Sequence, residues 1–139
     1  MQLILMLLLS VSGWTATQDL EVKLTGLKTT KGSVLYLVFS SEEGFPGDSK
    51  KSVRSGKIDA LEAKDGFSIK DLVPGTYAIT VTHDKNNNGK LDTNMVGIPK
   101  EGFGFSNNPK ITVRAPSFDK CKFDSEELKE ISVKMNHLL

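Results

Sequence analysis

The sequence has only one cysteine, Cys121, among its 139 residues. One thiol cannot form a disulfide within the chain, so it is either free or paired with a second chain. Free cysteines usually behave as small buried hydrophobic residues. We therefore predict that Cys121 is buried within a strand over residues 117–123. Without internal disulfides, a small exported domain has to be stabilised by its core or by a bound metal.

The sequence also lacks an excess of charge of either sign. The chain has 18 basic and 17 acidic residues, which gives a net charge of +1. These charges are mixed along the sequence, with no basic stripe and no acidic tail. Electrostatics therefore gives no reason to expect nucleic acid or an anionic membrane surface as a partner.

Common catalytic motifs are absent from the sequence. It has no phosphate-binding loop, no CxxC pair and no HExxH zinc motif. His83 adjoins Asp84, and Ser106 lies downstream, but a catalytic triad requires convergence in space that adjacency in sequence does not supply. We expect a protein that is not an enzyme, with a hydrolase as a third hypothesis behind two binding functions.

The longest uninterrupted hydrophobic run of the sequence is residues 3–9, which small and polar residues follow. This length is typical of a signal peptide and is too short to span a bilayer. We predict a signal peptide over residues 1–17 and a single domain over residues 18–139. After cleavage the chain is expected to be secreted or periplasmic, without a membrane span and monomeric.

Alternation of apolar and polar residues predicts an all-β chain. Residues 20–25 alternate, and residues 33–40 are apolar on both faces, as in a central strand. In residues 76–83, Tyr77, Ile79 and Val81 share one face, whereas the threonines and Ala78 share the other. Further strands are predicted over residues 53–61, 67–70, 111–113, 117–123 and 131–135. The resulting fold class is an antiparallel β-sandwich of seven to eight strands with one long Gly/Asn-rich loop.

The chemically distinctive part of the sequence is the loop from Asp84 to Asp92. Its residues follow the calcium-loop pattern D-x-[DN]-x-[DN]-G, with glycine at position six, where a positive φ is needed. The predicted ligands are oxygens of Asp84, Asn86, Asn88, the carbonyl of Lys90 and Asp92.

The calcium-loop pattern ends early, because Met95 stands where a bidentate glutamate belongs. We expect Glu101 or a loop carbonyl to complete the shell, with a weak dissociation constant on the order of 10⁻⁴ to 10⁻³ M. The alternative is an ordinary hairpin turn at Asn88-Gly89 that binds no metal.

Three segments, PGTYAI, HDKNNNGKLD and GIPKEGFGFSNN, carry a resemblance that extends over roughly residues 20–135. The chain resembles an uncharacterised bacterial exported family, domain of unknown function 2141. The resemblance implies a cell-envelope or secreted protein with a β-sandwich similar to transthyretin-like (prealbumin-like) and carboxypeptidase-regulatory-like domains. It implies no established activity.

Residues 97–108 suggest a second binding function. Phe103 and Phe105 share a face and lie beside Ser106, Asn107 and Asn108, a composition that suits a glycan- or peptide-binding surface. The alternative is that both rings cover the end of the core. The leading hypothesis is thus a non-catalytic exported module with a calcium-binding loop, and an unidentified cell-envelope protein or glycan is the expected partner.

Overall fold

The computed structural model describes residues 16–139. Of the predicted signal peptide, residues 1–17, the structure describes only residues 16 and 17, and the hydrophobic run over residues 3–9 lies outside the described residues. The described chain contains a short α-helix, α1 (Phe118–Cys121), a 3₁₀ turn (Ser49–Lys51) and eight strands: β1 (Gln18–Thr25), β2 (Ser33–Phe39), β3 (Arg54–Asp59), β4 (Gly66–Leu72), β5 (Thr76–Asp84), β6 (Phe103–Phe105), β7 (Phe123–Asp124) and β8 (Glu130–Lys134). None of the helices within residues 16–139 has the length and apolar character needed to cross a membrane.

The strands form two sheets. One has the order β4-β1-β8, and the other has the order β3-β2-β5-β6, with β7 paired to the start of β5. A single cluster of buried side chains from both sheets fills the space between them. The predicted β-sandwich of seven to eight strands is confirmed.

One strand pair departs from the antiparallel prediction, since β8 runs parallel to β1. The cause lies in the connection before β8. Strand β7 pairs with β5 in the five-stranded sheet, and the turn over residues 125–129 then carries the chain across to the other sheet. Because the chain changes sheets instead of folding back in a hairpin, β8 reaches the free edge of β1 in the same direction as β1.

The inner face of the five-stranded sheet follows the predicted alternation. Tyr77, Ile79 and Val81 are buried, and they belong to the same cluster as Val34 and Val38 of β2. Strand β2 pairs with β3 on one side and β5 on the other, so the central position predicted from its apolar character is confirmed.

The outer face of the same sheet is covered in part. Ala78, Phe103, Phe105 and Cys121 form a second buried cluster there, with Phe45, Leu91, Ile111 and Phe118 packed against it. An apolar strand such as β2 therefore has hydrophobic neighbours on both sides. This outer cluster positions the candidate sites described below.

Two predicted strands in the C-terminal third are wrong. Residues 111–113 form no strand, because Asn107 and Asn108 adopt positive φ values of 64° and 44° and turn the chain away from β6. Residues 117–123 form α1 followed by the two-residue β7.

The burial predicted for Cys121 is confirmed, although this residue ends a helix and is not part of a strand. Its side chain is 0% exposed. Burial raises the pKa of the Cys121 thiol to about 11, so the thiol stays protonated and unreactive at neutral pH.

The buried inner face predicts a specific difference between two valines. Val81→Ala should lower the free energy of unfolding by about 2–3 kcal/mol, because it removes two buried methyl groups and leaves a cavity. Val73→Ala makes the same chemical change at a side chain that is 49% exposed and should cost well under half as much. Urea denaturation of both variants measures this difference, and equal losses would contradict the assigned inner face.

Candidate functional site

Strand β5 ends in Asp84, a carboxylate that is 0% exposed. One of its oxygens accepts the backbone N–H of Asn88 at 3.1 Å, and the other accepts the N–H of Gly89 at 2.7 Å. Gly89 has a φ of 81°, a conformation in which a side chain would be strained. The carboxylate of Asp84 therefore holds the following five residues in a tight turn.

Asp92, at the other end of this turn, faces two amide side chains. The amide nitrogen of Asn88 lies 2.7 and 2.8 Å from the two carboxylate oxygens, and that of Asn86 lies 2.7 Å from Oδ2. Hydrogen bonds from Asn88 and Asn86 lower the pKa of Asp92 from its ordinary value. The carboxylate is therefore ionised throughout the neutral range.

The oxygens of the same two amides cap the turn. The N–H of Asn88 donates to Asn86 Oδ1 at 3.3 Å, and the N–H of Lys90 donates to Asn88 Oδ1 at 3.2 Å. These are Asx turns, in which an Asn side chain takes the place of a backbone acceptor. The turn is thus organised by its own side chains.

Glu101 joins the two ends of the loop. It is 6% exposed, and its two oxygens accept the N–H of Lys85 at 3.1 Å and that of Asp92 at 3.2 Å. The N–H of Lys100 also donates to the Asp92 carbonyl at 2.8 Å. Glu101 was predicted from the sequence as a candidate metal ligand. The structure shows in addition that it holds the two ends of the loop together through these hydrogen bonds.

The predicted metal ligands from Asp84 to Asp92 therefore lie in one turn, and Glu101 contacts both of its ends. The acidic side chains alone do not form a metal-binding site. Within residues 16–139, no group of three or more His, Cys, Asp or Glu residues could hold a metal ion. An ion here would depend on the amide oxygens of Asn86 and Asn88. Their NH₂ groups face Asp92, so ligation through oxygen requires each amide to turn over.

In the segment over residues 97–108, three predicted ligand-binding side chains have internal partners. The Ser106 hydroxyl donates to the Cys121 carbonyl at 2.6 Å and accepts the N–H of Ile79 at 2.9 Å. Asn107 donates to the Lys122 carbonyl at 2.7 Å. Asn108 accepts the N–H of Lys134 at 2.7 Å and so holds β8. All three positions connect this segment to the C-terminal part of the fold.

Phe103 and Phe105 lie on the outer face of the five-stranded sheet, 6% and 5% exposed. Their rings contact each other edge to face, with centroids 5.9 Å apart. Both contribute to the floor of a cavity of about 1120 Å³. The rings belong to a buried cluster, as expected if they cover the core, and they also border this cavity, as expected for a ligand-binding surface.

The cavity is the feature that sequence reasoning missed. Its floor includes Leu35 and Leu37 of β2, and its walls come from loops before β6 and after it. A signal was present, because residues 33–40 are apolar on both faces, and a strand of that kind needs a covering layer on each side. Arg114, which also lines the cavity, had no such signal.

His83 is a further buried polar group near the loop. Its Nε2 lies 2.7 Å from the Lys31 carbonyl, and Nδ1 has no hydrogen-bond partner among the described residues. The ring is 0% exposed and so is not accessible to a substrate. Ser33, which pairs with Asp84 across β2 and β5, donates its hydroxyl to Asn87 Oδ1 at 2.6 Å and connects β2 to the turn.

The hydrogen bonds of Asp84 predict that this residue stabilises the fold even when a chelator has removed any metal. Asp84→Asn should lower the free energy of unfolding by about 1–3 kcal/mol, because an NH₂ group then faces a backbone N–H and leaves buried donors unpaired. Asp65→Asn is the control, since Asp65 is exposed. Thermal denaturation in a chelator compares them, and an unchanged melting temperature for the Asp84 variant would contradict the assigned role.

A family model described as an uncharacterized protein conserved in bacteria (DUF2141) matches residues 22–133. Comparisons with curated proteins and with solved structures gave no match, so the likeness to transthyretin remains a prediction. The matched range extends from β1 into β8 and contains the Asp84–Asp92 loop, Glu101 and both phenylalanines of β6. The chain therefore belongs to the DUF2141 family of uncharacterised bacterial proteins.

Proposed function

We propose that the protein is a non-catalytic exported module, secreted or periplasmic, whose Asp84–Asp92 loop binds calcium. One observation carries the proposal: the ionised Asp92 lies against the side chains of Asn86 and Asn88 at the predicted calcium-loop spacing. Calcium prefers such hard oxygen ligands and accepts irregular geometry. Asp84 contributes a second carboxylate to the same turn, through its bonds to Asn88 and Gly89.

Charge and hydrogen bonding set the expected strength of this site. Both oxygens of Asp84 already accept backbone N–H groups, and Lys90 and Lys100 act electrostatically on Asp92. Calcium would have to compete with these contacts and turn two amides over. We therefore propose a weak site, with a dissociation constant on the order of 10⁻⁴ to 10⁻³ M, the range of extracellular modules.

The absence of catalysis is supported by the surroundings of the candidate nucleophile and base. The hydroxyl of Ser106 is 0% exposed and bonded on both sides to backbone groups. His83 is equally buried, and its Nε2 contacts a backbone carbonyl. A serine hydrolase needs a hydroxyl that a substrate can reach and that bonds to its base, and neither residue meets that need.

Calcium at about 1 mM should stabilise the protein. For a dissociation constant of about 10⁻⁴ M, a ligand that binds only the folded state adds on the order of 1.4 kcal/mol. Asp92→Asn should abolish this gain, whereas Asp65→Asn should keep it. Magnesium should stabilise less, because it holds its water and demands octahedral geometry. The measurement is thermal denaturation with calcium, magnesium and a chelator, supported by calorimetric titration.

The result against calcium binding is equally well defined. No heat and no rise in melting temperature at up to about 10 mM calcium would mean that the loop is an ordinary turn held by Asx side chains. A gain that survives in Asp92→Asn would place the ion elsewhere. Asp92 is the better variant for this test, since Asp84 also supports the fold in the absence of metal.

Export is tested by the mass of the mature chain. The hydrophobic residues 3–9 motivate the proposal, and β1 begins at Gln18, directly after the predicted signal peptide. The mature N-terminus should lie between residues 14 and 19, within the usual 15–30-residue signal length. Intact-mass measurement of protein from a bacterial host decides it, and a cytoplasmic product that retains Met1 would contradict export.

A further inference from the structure

We infer that the cavity on the outer face of the five-stranded sheet binds an amphipathic anion of the fatty-acid type. In this inference the acyl chain lies on the apolar floor and the carboxylate lies at the rim beside Arg114 and Lys90. The inference goes beyond the calcium proposal and does not depend on it. It also assigns a ligand chemistry different from the glycan or peptide suggested by residues 97–108.

The register of β2, β5 and β6 determines which side chains form the floor of the cavity. Leu35 of β2 is paired with Thr82 of β5, which is paired with Phe103 of β6. The next outward-facing row is Leu37, Thr80 and Phe105. Both leucines are only half-buried although they lie on a central strand. The outer face of the sheet therefore presents an apolar surface that the protein's own residues do not fully cover.

Three segments enclose this surface. They are residues 89–91 and 96–99 before β6, residues 111–116 after it, and residues around Pro46 in the β2–β3 connection. The rim carries apolar side chains that face solvent: Val96 is 77% exposed, and Val113 is 103% exposed. Contiguous exposed apolar groups around a concavity are typical of a ligand site. The volume of about 1120 Å³ is sufficient for one long acyl chain.

Charge decides which head group suits the cavity. Among the described residues that line it, the charged ones are Lys90 and Arg114, both cationic, and none is acidic. Within residues 16–139, neither forms an ion pair at 4.0 Å or less. A cationic ligand would be repelled, whereas an anionic head group would be attracted by the positive charge of the lining.

The few polar groups in the cavity argue against a sugar. Four hydroxyls line the cavity, those of Ser49, Thr80, Thr82 and Thr112. The hydroxyl of Thr80 donates to the Pro46 carbonyl at 2.9 Å, and that of Thr112 donates to the Arg114 carbonyl at 3.2 Å, so only two are left for a ligand. A glycan needs many hydrogen-bonding partners, because each buried hydroxyl left unpaired weakens binding. An acyl chain needs none of these partners along its length.

Calorimetric titration with decanoate and dodecanoate, below their micelle concentrations and in a chelator, tests the inference. Each added methylene buried on the floor should tighten binding roughly fourfold, so dodecanoate should bind about 15-fold more tightly than decanoate. Dodecan-1-ol, which has the same chain without the charge, should bind more weakly than dodecanoate. The chelator separates this test from the calcium proposal, since each can fail alone.

Arg114→Glu tests the head group, with Lys110→Glu as its matched control. Both replace an exposed cation in the same connection with an acid, but Lys110 does not line the cavity. Arg114→Glu should weaken dodecanoate binding by about three- to tenfold at low salt, and Lys110→Glu should leave it within about twofold. Equal effects would mean that long-range charge alone attracts the anion.

Three results would overturn the inference. The first is the absence of dodecanoate binding at concentrations up to about 1 mM, far weaker than a buried acyl chain should give. The second is an affinity that does not depend on chain length. The third is a stable dimer in sedimentation that dodecanoate does not dissociate, since a second copy of the chain would then be the occupant of the cavity.

Discussion

The two hydrophobic clusters and the loop that carries the candidate site all depend on strand β5, because its nine residues contribute to both clusters and end where the loop begins. Tyr77, Ile79 and Val81 enter the core between the sheets, and Ala78 on the opposite face enters the outer cluster. The strand also pairs with β2, β6 and β7. A one-residue slip would exchange the two faces and remove both clusters together. The cavity floor and the position of Asp84 at the strand's end therefore depend on the same register.

The loop after β5 is held by buried carboxylates more than by apolar packing. Asp84 and Glu101 each accept two backbone N–H groups, which compensates part of the cost of burying their charge. The same contacts hold a turn without any metal, and that turn contains the side chains predicted as calcium ligands, Asp84, Asn86, Asn88 and Asp92. A calcium loop and a capped hairpin thus use one set of residues, which is why the pattern alone did not distinguish them. The difference between them lies in which atoms of Asn86 and Asn88 face Asp92.

The sequence predicted what depends on local periodicity and missed what depends on distant partners. The strands around Leu20 and Ile79 were predicted correctly from alternation, and the strand around Val34 from its apolar run, because both patterns are decided within each segment. Residues 111–113 have the same alternation but form no strand, since the positive φ of Asn107 and Asn108 directs the chain away from β6. The parallel course of β8 was also missed, because it depends on where β7 joins the other sheet. In the candidate site, the spacing of Asp84 to Asp92 was readable, whereas the cavity required knowledge of which loops cover β2.

The long connection between β5 and β6 lines both candidate sites. Its first part forms the Asp84–Asp92 turn, and residues 89–91 and 96–99 contribute to the cavity wall. The entropic cost of closing a loop grows only slowly with its length, so a connection this long is tolerated. Glu101 restricts the conformations of this connection by accepting the N–H groups of Lys85 and Asp92. Loss of the Glu101 contacts would therefore loosen the turn and one wall of the cavity together. The two proposed binding functions have different chemistry, but they rely on one carboxylate to hold the segment they share.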